Sequence, residues 1–172
     1  MKFNLRKIRK EDNKQLKDIL IEVLNEFEVP EEGTALGDDE LNYMFESYNK
    51  KRHIYYVLEI NGVIMGGAGI APLKNSKKNI CELQKMYFHK EARGIGLGKK
   101  MIQLCIDYAK NNHFELCYIE TMPNMLSAQK LYTSIGFKYI DKPLGNTGHS
   151  SCPVWMIKTL DRKSTRLNSS HQ

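Results

Sequence analysis

Apolar residues change their spacing several times along this chain, and the changes mark out alternating strands and helices. Phe3, Leu5 and Ile8 open a short strand. Beyond Glu11-Asp12, acids that suit a helix start, Leu16, Ile19, Leu20, Val23, Leu24 and Phe27 keep the 3.6-residue period of one helical face until Pro30. A loop from Gly33 to Gly37 follows, and Asp38-Asp39 predict the cap of a second helix through Leu41, Met44, Phe45 and Tyr48. His53 to Ile60 and Val63 to Ala71 are β-rich runs joined by Asn61-Gly62, a dipeptide that tolerates two positive φ angles and so predicts a tight hairpin.

Ile80 to His89 predicts a further strand. A helix carries Leu97, Met101, Leu104, Cys105 and Tyr108 on one face, and Leu116 to Thr121 is a short apolar strand after it. Pro123-Asn124 breaks the chain, Leu126 to Ser134 makes a short helix ended by Gly136, and Phe137 to Ile140 and Val154 to Thr159 supply the last strands. The order is β-α-α-β-β-β-α-β-α-β-β, an α/β class of chain with no internal repeat.

Composition narrows the picture. A length of 172 residues with 41% hydrophobic content suits one domain, which we assign to residues 1–160. Residues 161–172 have no apolar period and read as an appended polar tail, disordered and outside the fold. They hold three basic residues and one acid, so the formal charge of +6 falls to about +4 for the body. Its positive residues are scattered without interleaved aromatics, which excludes a nucleic-acid groove and leaves a modest excess suited to a polyanionic small molecule. No stretch approaches a membrane span or a signal-peptide core, so the sequence predicts a soluble cytoplasmic protein. Cys81, Cys105, Cys117 and Cys152 form no C-x-x-C pair, so neither a zinc site nor a disulfide framework is expected, and no metal.

The chemistry starts at Arg93-Gly94-Ile95-Gly96-Leu97-Gly98-Lys99, between a strand pattern and a helix pattern. Glycines let backbone approach a ligand, and the first amides of a helix lack intrahelical acceptors, so they converge on an anion with the helix dipole behind them. A Walker A loop is excluded, because Arg93 falls at its first glycine and Lys100 where its hydroxyl belongs. A dinucleotide fingerprint would need a glycine where Lys99 stands. A phosphate-bearing cofactor and a ligand-free glycine turn both remain open on this stretch alone.

With these elements in place, the chain resembles the GNAT superfamily of acyl-CoA-dependent N-acetyltransferases over nearly all of its length before the tail. Arg93-x-x-Gly96-x-Gly98 is similar to the family's Q/R-x-x-G-x-G/A pyrophosphate loop, and Glu82-Leu83-Gln84-Lys85-Met86-Tyr87-Phe88 resembles its central cofactor-binding strand. Asn124-x-x-x-Ala128-x-x-x-Tyr132-x-x-x-Gly136-Phe137 follows the family's N-x-x-A-x-x-L-Y-x-x-x-G-F segment, with Leu131 before the tyrosine and one extra residue in the first gap. The resemblance implies a mixed, mostly antiparallel sheet of about seven strands flanked by four helices. It also implies acetyl-CoA as cosubstrate, a primary amine of a small molecule or peptide as acceptor, direct transfer, and a homodimer as an open option.

The resemblance further implies roles for individual residues. Glu82 matches the general base, against the alternative of a strand-edge carboxylate, and strand alternation sets it on one face with Gln84, Met86 and Phe88. Backbone amides of Met86, Tyr87 and Phe88 are expected to hold the pantetheine arm and polarise the thioester. The amides from Gly94 through Ile95, Gly96, Leu97 and Gly98 to Lys99 would hold the pyrophosphate. Arg93 and Lys99 either add charge there or are solvated cations. Asn124 and Ala128 border the cofactor arm, with a turn role for Asn124 as the alternative, and Tyr132 matches the acid that protonates the departing thiolate. His149 could assist deprotonation or be a loop histidine, and nothing marks Cys152 as a nucleophile. Helix one and the loops 30–39 and 145–152 would shape the acceptor pocket. The rival function is an acyl-CoA-binding sensor module without turnover.

Overall fold

The computed structural model describes residues 1–76 and 79–160, so the 161–172 tail lies outside the described residues. The chain forms β1 (Phe3–Lys7), α1 (Asn13–Glu26), α2 (Met44–Tyr48), β2 (Ile54–Ile60), β3 (Val63–Pro72), β4 (Ile80–Phe88), α3 (Leu97–Asn111), β5 (Leu116–Thr121), α4 (Leu126–Ile135), β6 (Lys138–Ile140) and β7 (Val154–Thr159). The seven strands make one sheet in the order β1-β2-β3-β4-β5-β7-β6. Among the described residues only the β4–β5 pairing is parallel. Asn61 and Gly62 both take positive φ (51° and 80°), as the hairpin signal requires.

Each face of the sheet has its own core. Met101, Ile102, Cys105 and Ile106 of α3 pack with Leu58, Ile70, Leu83 and Ile119 on one side. On the other, Leu16, Leu20 and Leu24 of α1 and Met44 and Tyr48 of α2 meet Tyr55, Val57 and Ile64. A small third cluster of Leu73, Ile80 and Tyr118, with Leu144 and Trp155, lies where the β6–β7 loop folds back over the sheet. All four cysteines are buried and unpaired. No helix of the described residues is long and apolar enough to cross a membrane.

Two expectations are corrected. The helix predicted from Asp38-Asp39 to Tyr48 is split at Tyr43 (φ −137°, ψ 47°) into a 3-10 turn, Asp39–Asn42, and the five-residue α2. Asp38 makes no side-chain cap bond, because its carboxylate is held by His149 and by the buried Lys85.

The second correction concerns β4, where Glu82, Gln84, Met86 and Phe88 do not share a face. Gly67 pairs with Tyr87 while Gly69 pairs with Gln84, so Lys85 and Met86 together oppose Ala68. This is a β-bulge, with Lys85 in the left-handed region at φ 48°. Cys81 and Leu83 face α3 before the bulge, and Met86 and Phe88 face α3 after it. Glu82 and Gln84 therefore turn to the opposite side, toward α2, where the Tyr48 hydroxyl meets Gln84. The Tyr55 ring crosses Gly69, where an added Cβ would stand 2.6 Å from its Cδ2, and its hydroxyl donates to the Lys85 carbonyl at 2.8 Å. A side chain at that glycine would displace the ring that braces the bulge.

Candidate active site

The site begins where the parallel pairing ends. β4 and β5 are joined only from Ile80↔Leu116 to Glu82↔Tyr118, yet β4 continues to Phe88 and β5 to Thr121. Beyond Glu82 the two strands part, and no described strand covers the edge of β4 that faced β5. Backbone amides on that edge are free to bind a ligand. A cleft of about 550 Å³ opens along it, between α3, α4 and the end of α1.

Met86, Tyr87, Phe88, Arg93, Gly94, Gly96, Gly98, Lys99, Asn124, Ala128 and Tyr132 all line this cleft. Ile95 and Leu97 do not: Ile95 is exposed, and Leu97 is buried under α3. Gly94 and Gly96 adopt φ of 76° and 83°, which L side chains rarely tolerate, and Gly96 stands at the N-cap of α3. A Cβ on Gly98 would lie 2.9 Å from Leu131 Cδ2, so this glycine sets how closely α3 approaches α4. The unbonded amides at the start of α3 point to an anion, and the cleft is large enough for a pantetheine arm.

Two cleft residues are engaged elsewhere. Arg93 donates from Nη1 and Nη2 to both carboxylate oxygens of Glu26 at 2.7 and 2.8 Å and from Nε to the Phe88 carbonyl at 2.8 Å. Its guanidinium also lies 5.0 Å from the Phe27 ring centre. Asn124 Nδ2 donates to the Phe27 carbonyl at 2.8 Å. Both side chains thus fasten the two walls of the cleft to the end of α1, and Lys99 is left without an ion pair among the described residues.

Tyr132 reaches the cleft from α4 with its ring edge-on to Phe137 at 5.9 Å. The residue is 4% exposed, its hydroxyl makes no hydrogen bond among the described residues, and burial raises its pKa well above the usual phenol range. It therefore stays protonated and available as a donor.

Glu82 does not line the cleft; it sits at the fork, 5% exposed. Gln84 Nε2 donates to its Oε1 at 2.7 Å, and Gln84 is itself oriented by the Tyr48 hydroxyl, which donates to Gln84 Oε1 at 2.6 Å. Burial, with the charge of Glu120 behind it, pushes the Glu82 carboxyl up to about 7, against the lowering effects of the Gln84 bond, His149 and Lys85. A carboxyl poised near neutrality matches the requirement of a general base.

Around Glu82 runs a polar seam that the sequence did not disclose. Lys85 Nζ, on a side chain 3% exposed, lies 3.0 Å from Glu40 and 3.2 Å from Asp38. His149 Nε2 faces both oxygens of Asp38 at 2.8 and 3.0 Å, and its Nδ1 lies 3.9 Å from Glu120 Oε1. Glu120 accepts from the Tyr118 hydroxyl at 2.7 Å and from the Thr147 hydroxyl. Two signals could have exposed it: Lys85 inside a buried strand, and Glu120 at the end of an otherwise apolar one. Cys152 is buried nearby, and burial pushes its thiol up to about 12, which leaves it a poor nucleophile. Among the described residues no group of three or more His, Cys, Asp or Glu side chains is arranged to hold a metal ion.

An open sheet with a forked parallel pair, a helix N-terminus at the mouth of the fork and a buried acid at its apex form a site suited to an elongated ligand with an anionic end. Comparison with known proteins agrees: residues 18–137 match the acetyltransferase (GNAT) family, and the chain belongs to it. An uncharacterized N-acetyltransferase of Escherichia coli strain K12, YjgM, is 38% identical over 157 residues, 91% of this chain and 94% of its own length. The fold is shared with a GNAT acetyltransferase from Staphylococcus aureus Mu50 (TM-score 0.82, 21% identity, covering 93% of this chain and 100% of that one). It is shared too with YncA of Salmonella typhimurium, solved with its cofactor acetyl-CoA (TM-score 0.74, 19% identity, covering 93% of this chain and 95% of that one). The protein is an acyltransferase enzyme.

Proposed function

We propose that this protein moves an acetyl group from acetyl-CoA directly to a primary amine of a small molecule or peptide. The observation that carries the reading is the fork itself: a cleft along the β4 edge that β5 leaves uncovered, with the buried Glu82 carboxyl at the point where the two strands part. Amides of Leu97, Gly98 and Lys99 at the start of α3 hold the pyrophosphate, with the Lys99 charge beside them, and the uncovered β4 edge at Met86 to Phe88 holds the arm and thioester. Asn124 and Ala128 border that arm. This assignment accords with the acetyl-CoA carried by the Salmonella relative in fold.

In the reaction Glu82 takes the proton from the incoming ammonium, directly or through water, and the freed amine attacks the thioester carbon. The β4 amides stabilise the oxyanion, and collapse breaks the carbon–sulfur bond. Tyr132 then protonates the departing thiolate, and its phenolate is reprotonated, through water, by the second proton that the acylated nitrogen sheds, which leaves a neutral amide and free coenzyme A. The buried, high-pKa Cys152 makes a covalent acyl-enzyme the poorer route. Amine entry from the Glu82 side meets the carboxylates of Asp38, Glu40 and Glu120, and the Lys85 cation is already held by the first two, so a cationic amine is favoured over an amino acid carboxylate. Four free cysteines accord with action in the reducing cytoplasm.

Calorimetric titration with acetyl-CoA, followed by a thiol-release screen over an amine panel, tests the reading. Tight binding with amine-dependent release is the expected result. Absence of binding would overturn the cofactor site, and binding with no release from any amine would favour the sensor module.

A further inference from the structure

The β6–β7 loop is fastened to the segment that carries Gly33 and Asp38 by contacts that a simple connector would not need. His149 and Asp38 are 111 residues apart in sequence, yet Nε2 lies within 3.0 Å of both Asp38 oxygens. Beside them Ser151 N donates to the Gly33 carbonyl at 3.0 Å, and an added Cβ on Gly33 would lie 2.7 Å from Ser150 Oγ. With Nε2–H committed to Asp38, the variable proton of the imidazole belongs to Nδ1, which looks toward Glu120. Glu82 meanwhile is nearly sealed. Exposure rises outward, from 5% at Glu82 to 17% and 24% at the His149 and Asp38 side chains. A buried base must return its proton to water after each turnover, and His149, close enough for its charge to act on Glu82, is the more exposed titratable group beside it.

We propose that His149, oriented by Asp38, is the proton outlet of the site: a positioning residue that regenerates Glu82. The inference rests on Glu82 acting as the base. Glu82 takes a proton from the ammonium and becomes the neutral acid, and that proton passes, through water in the seam, to Nδ1 of neutral His149. The resulting imidazolium lies between Asp38 and Glu120, and loss of its proton to solvent restores both groups. The charged and titratable groups facing His149 are Asp38 from the segment before the 3-10 turn, Glu82 and Lys85 from β4, Glu120 from β5 and Cys152 on its own loop. Burial opposes the imidazolium, but the Asp38 hydrogen bond and the Asp38 and Glu82 charges outweigh it, so the imidazole titrates above its ordinary value. The relay needs the neutral form, so the acidic limb of the pH–rate profile is set by His149 together with Glu82.

The test uses His149→Ala and His149→Gln, saturating acetyl-CoA and the fastest amine of the thiol-release panel. We expect kcat to fall roughly tenfold or more in both variants, as loss of an assisted proton transfer does. KM for acetyl-CoA should be unchanged, the acidic limb should reduce to a single titration, and added imidazole should restore the Ala variant in proportion to its free-base concentration. Asp38→Asn should move the histidine limb to lower pH. His149→Gln keeps a donor toward Asp38; wild-type turnover and pH profile in that variant, or failure of imidazole to rescue, would overturn the proposal. Glu82→Gln separates the two readings. If it is inactive while His149→Gln is normal, only the outlet fails; if it is fully active, the base assignment fails as well.

Discussion

The cleft along β4 and the polar seam around Glu82 are built in opposite ways. The cleft is built mostly of backbone and apolar side chains, with glycines at positive φ and Met86, Ala128 and Leu131 on its walls, while its Arg93 and Asn124 are tied to the end of α1 and the Tyr132 hydroxyl makes no hydrogen bond among the described residues. In the seam, Asp38, Glu40, Lys85, Glu120 and His149 hold one another across four chain segments. A site for a large, flexible, anionic ligand works best with donors already fixed in place, because each prefixed amide lowers the ordering cost of binding. A site that must move protons instead needs charges coupled closely enough to shift one another's titration. On the proposed function the seam moves the ammonium proton while the cleft holds the cofactor and carries one proton donor, Tyr132, so each variant below should disturb binding or proton chemistry without the other.

Glu82→Gln should produce the largest effect. Turnover is expected to fall on the order of 10²–10⁴-fold while acetyl-CoA affinity, measured by calorimetry, stays at the wild-type value. The same substitution should stabilise the fold at alkaline pH. A carboxyl raised to about 7 from 4.5 makes the folded state bind more protons than the unfolded one between those values, so wild-type stability falls as pH rises through that window and levels off above it. Glutamine cannot ionise and can still accept from Gln84. Thermal melts should therefore show a gain above pH 7, at most about 3 kcal/mol, and little change near pH 4. Loss of acetyl-CoA binding in this variant would break the division between the two halves.

Tyr132→Phe comes next, with kcat lowered by roughly 10²-fold and the fold intact, since the ring packing on Phe137 survives and only an unbonded hydroxyl is removed. Unchanged turnover in a thiol-release assay would take the acid role from Tyr132. Gly98→Val tests binding alone: its side chain must push against Leu131 Cδ2, 2.9 Å from where its Cβ would stand, and so widen the α3–α4 wall. A loss of about tenfold in acetyl-CoA affinity is expected, about 1.4 kcal/mol, with the pH profile of kcat unaltered. A shifted profile would show that the cleft wall reaches the seam.

The same division explains what could be read in advance. Gly94, Gly96 and Gly98 announce the cleft because their role is local: backbone conformation and the first turn of a helix lie within a few residues of each other. The seven strands and four helices were legible for a similar reason, since periodicity is a short-range signal. The bulge at Lys85 was not, for it depends on Ala68 in the neighbouring strand and on a hydroxyl from Tyr55, thirty residues away in sequence. Asp38 carried the pattern of a helix cap, and that pattern was overridden by a histidine 111 residues later. Long-range electrostatic partners leave no periodic trace, so the seam exists only in the folded chain.

Glu26→Gln should have the smallest effect and the most informative sign. Arg93 lines the cleft, but its guanidinium is bonded to Glu26 and to the Phe88 carbonyl, and the pair is partly exposed, with side chains 31% and 39% accessible. If Arg93 braces the cleft by tying the β4–α3 loop to the end of α1, weakening the pair loosens that brace, and acetyl-CoA binding should weaken by up to about threefold, in line with the ~0.2–1 kcal/mol of an exposed ion pair. If Glu26 instead holds the cation away from a phosphate, the substitution frees it, and binding should strengthen, more so at low salt. The 2.8 Å bond from Nε to the Phe88 carbonyl, which Glu26→Gln leaves in place, favours the brace. Calorimetry at two ionic strengths reads the sign: weaker binding with the salt dependence of the wild type confirms Arg93 as part of the wall, whereas tighter, salt-sensitive binding would make it a held-back phosphate ligand.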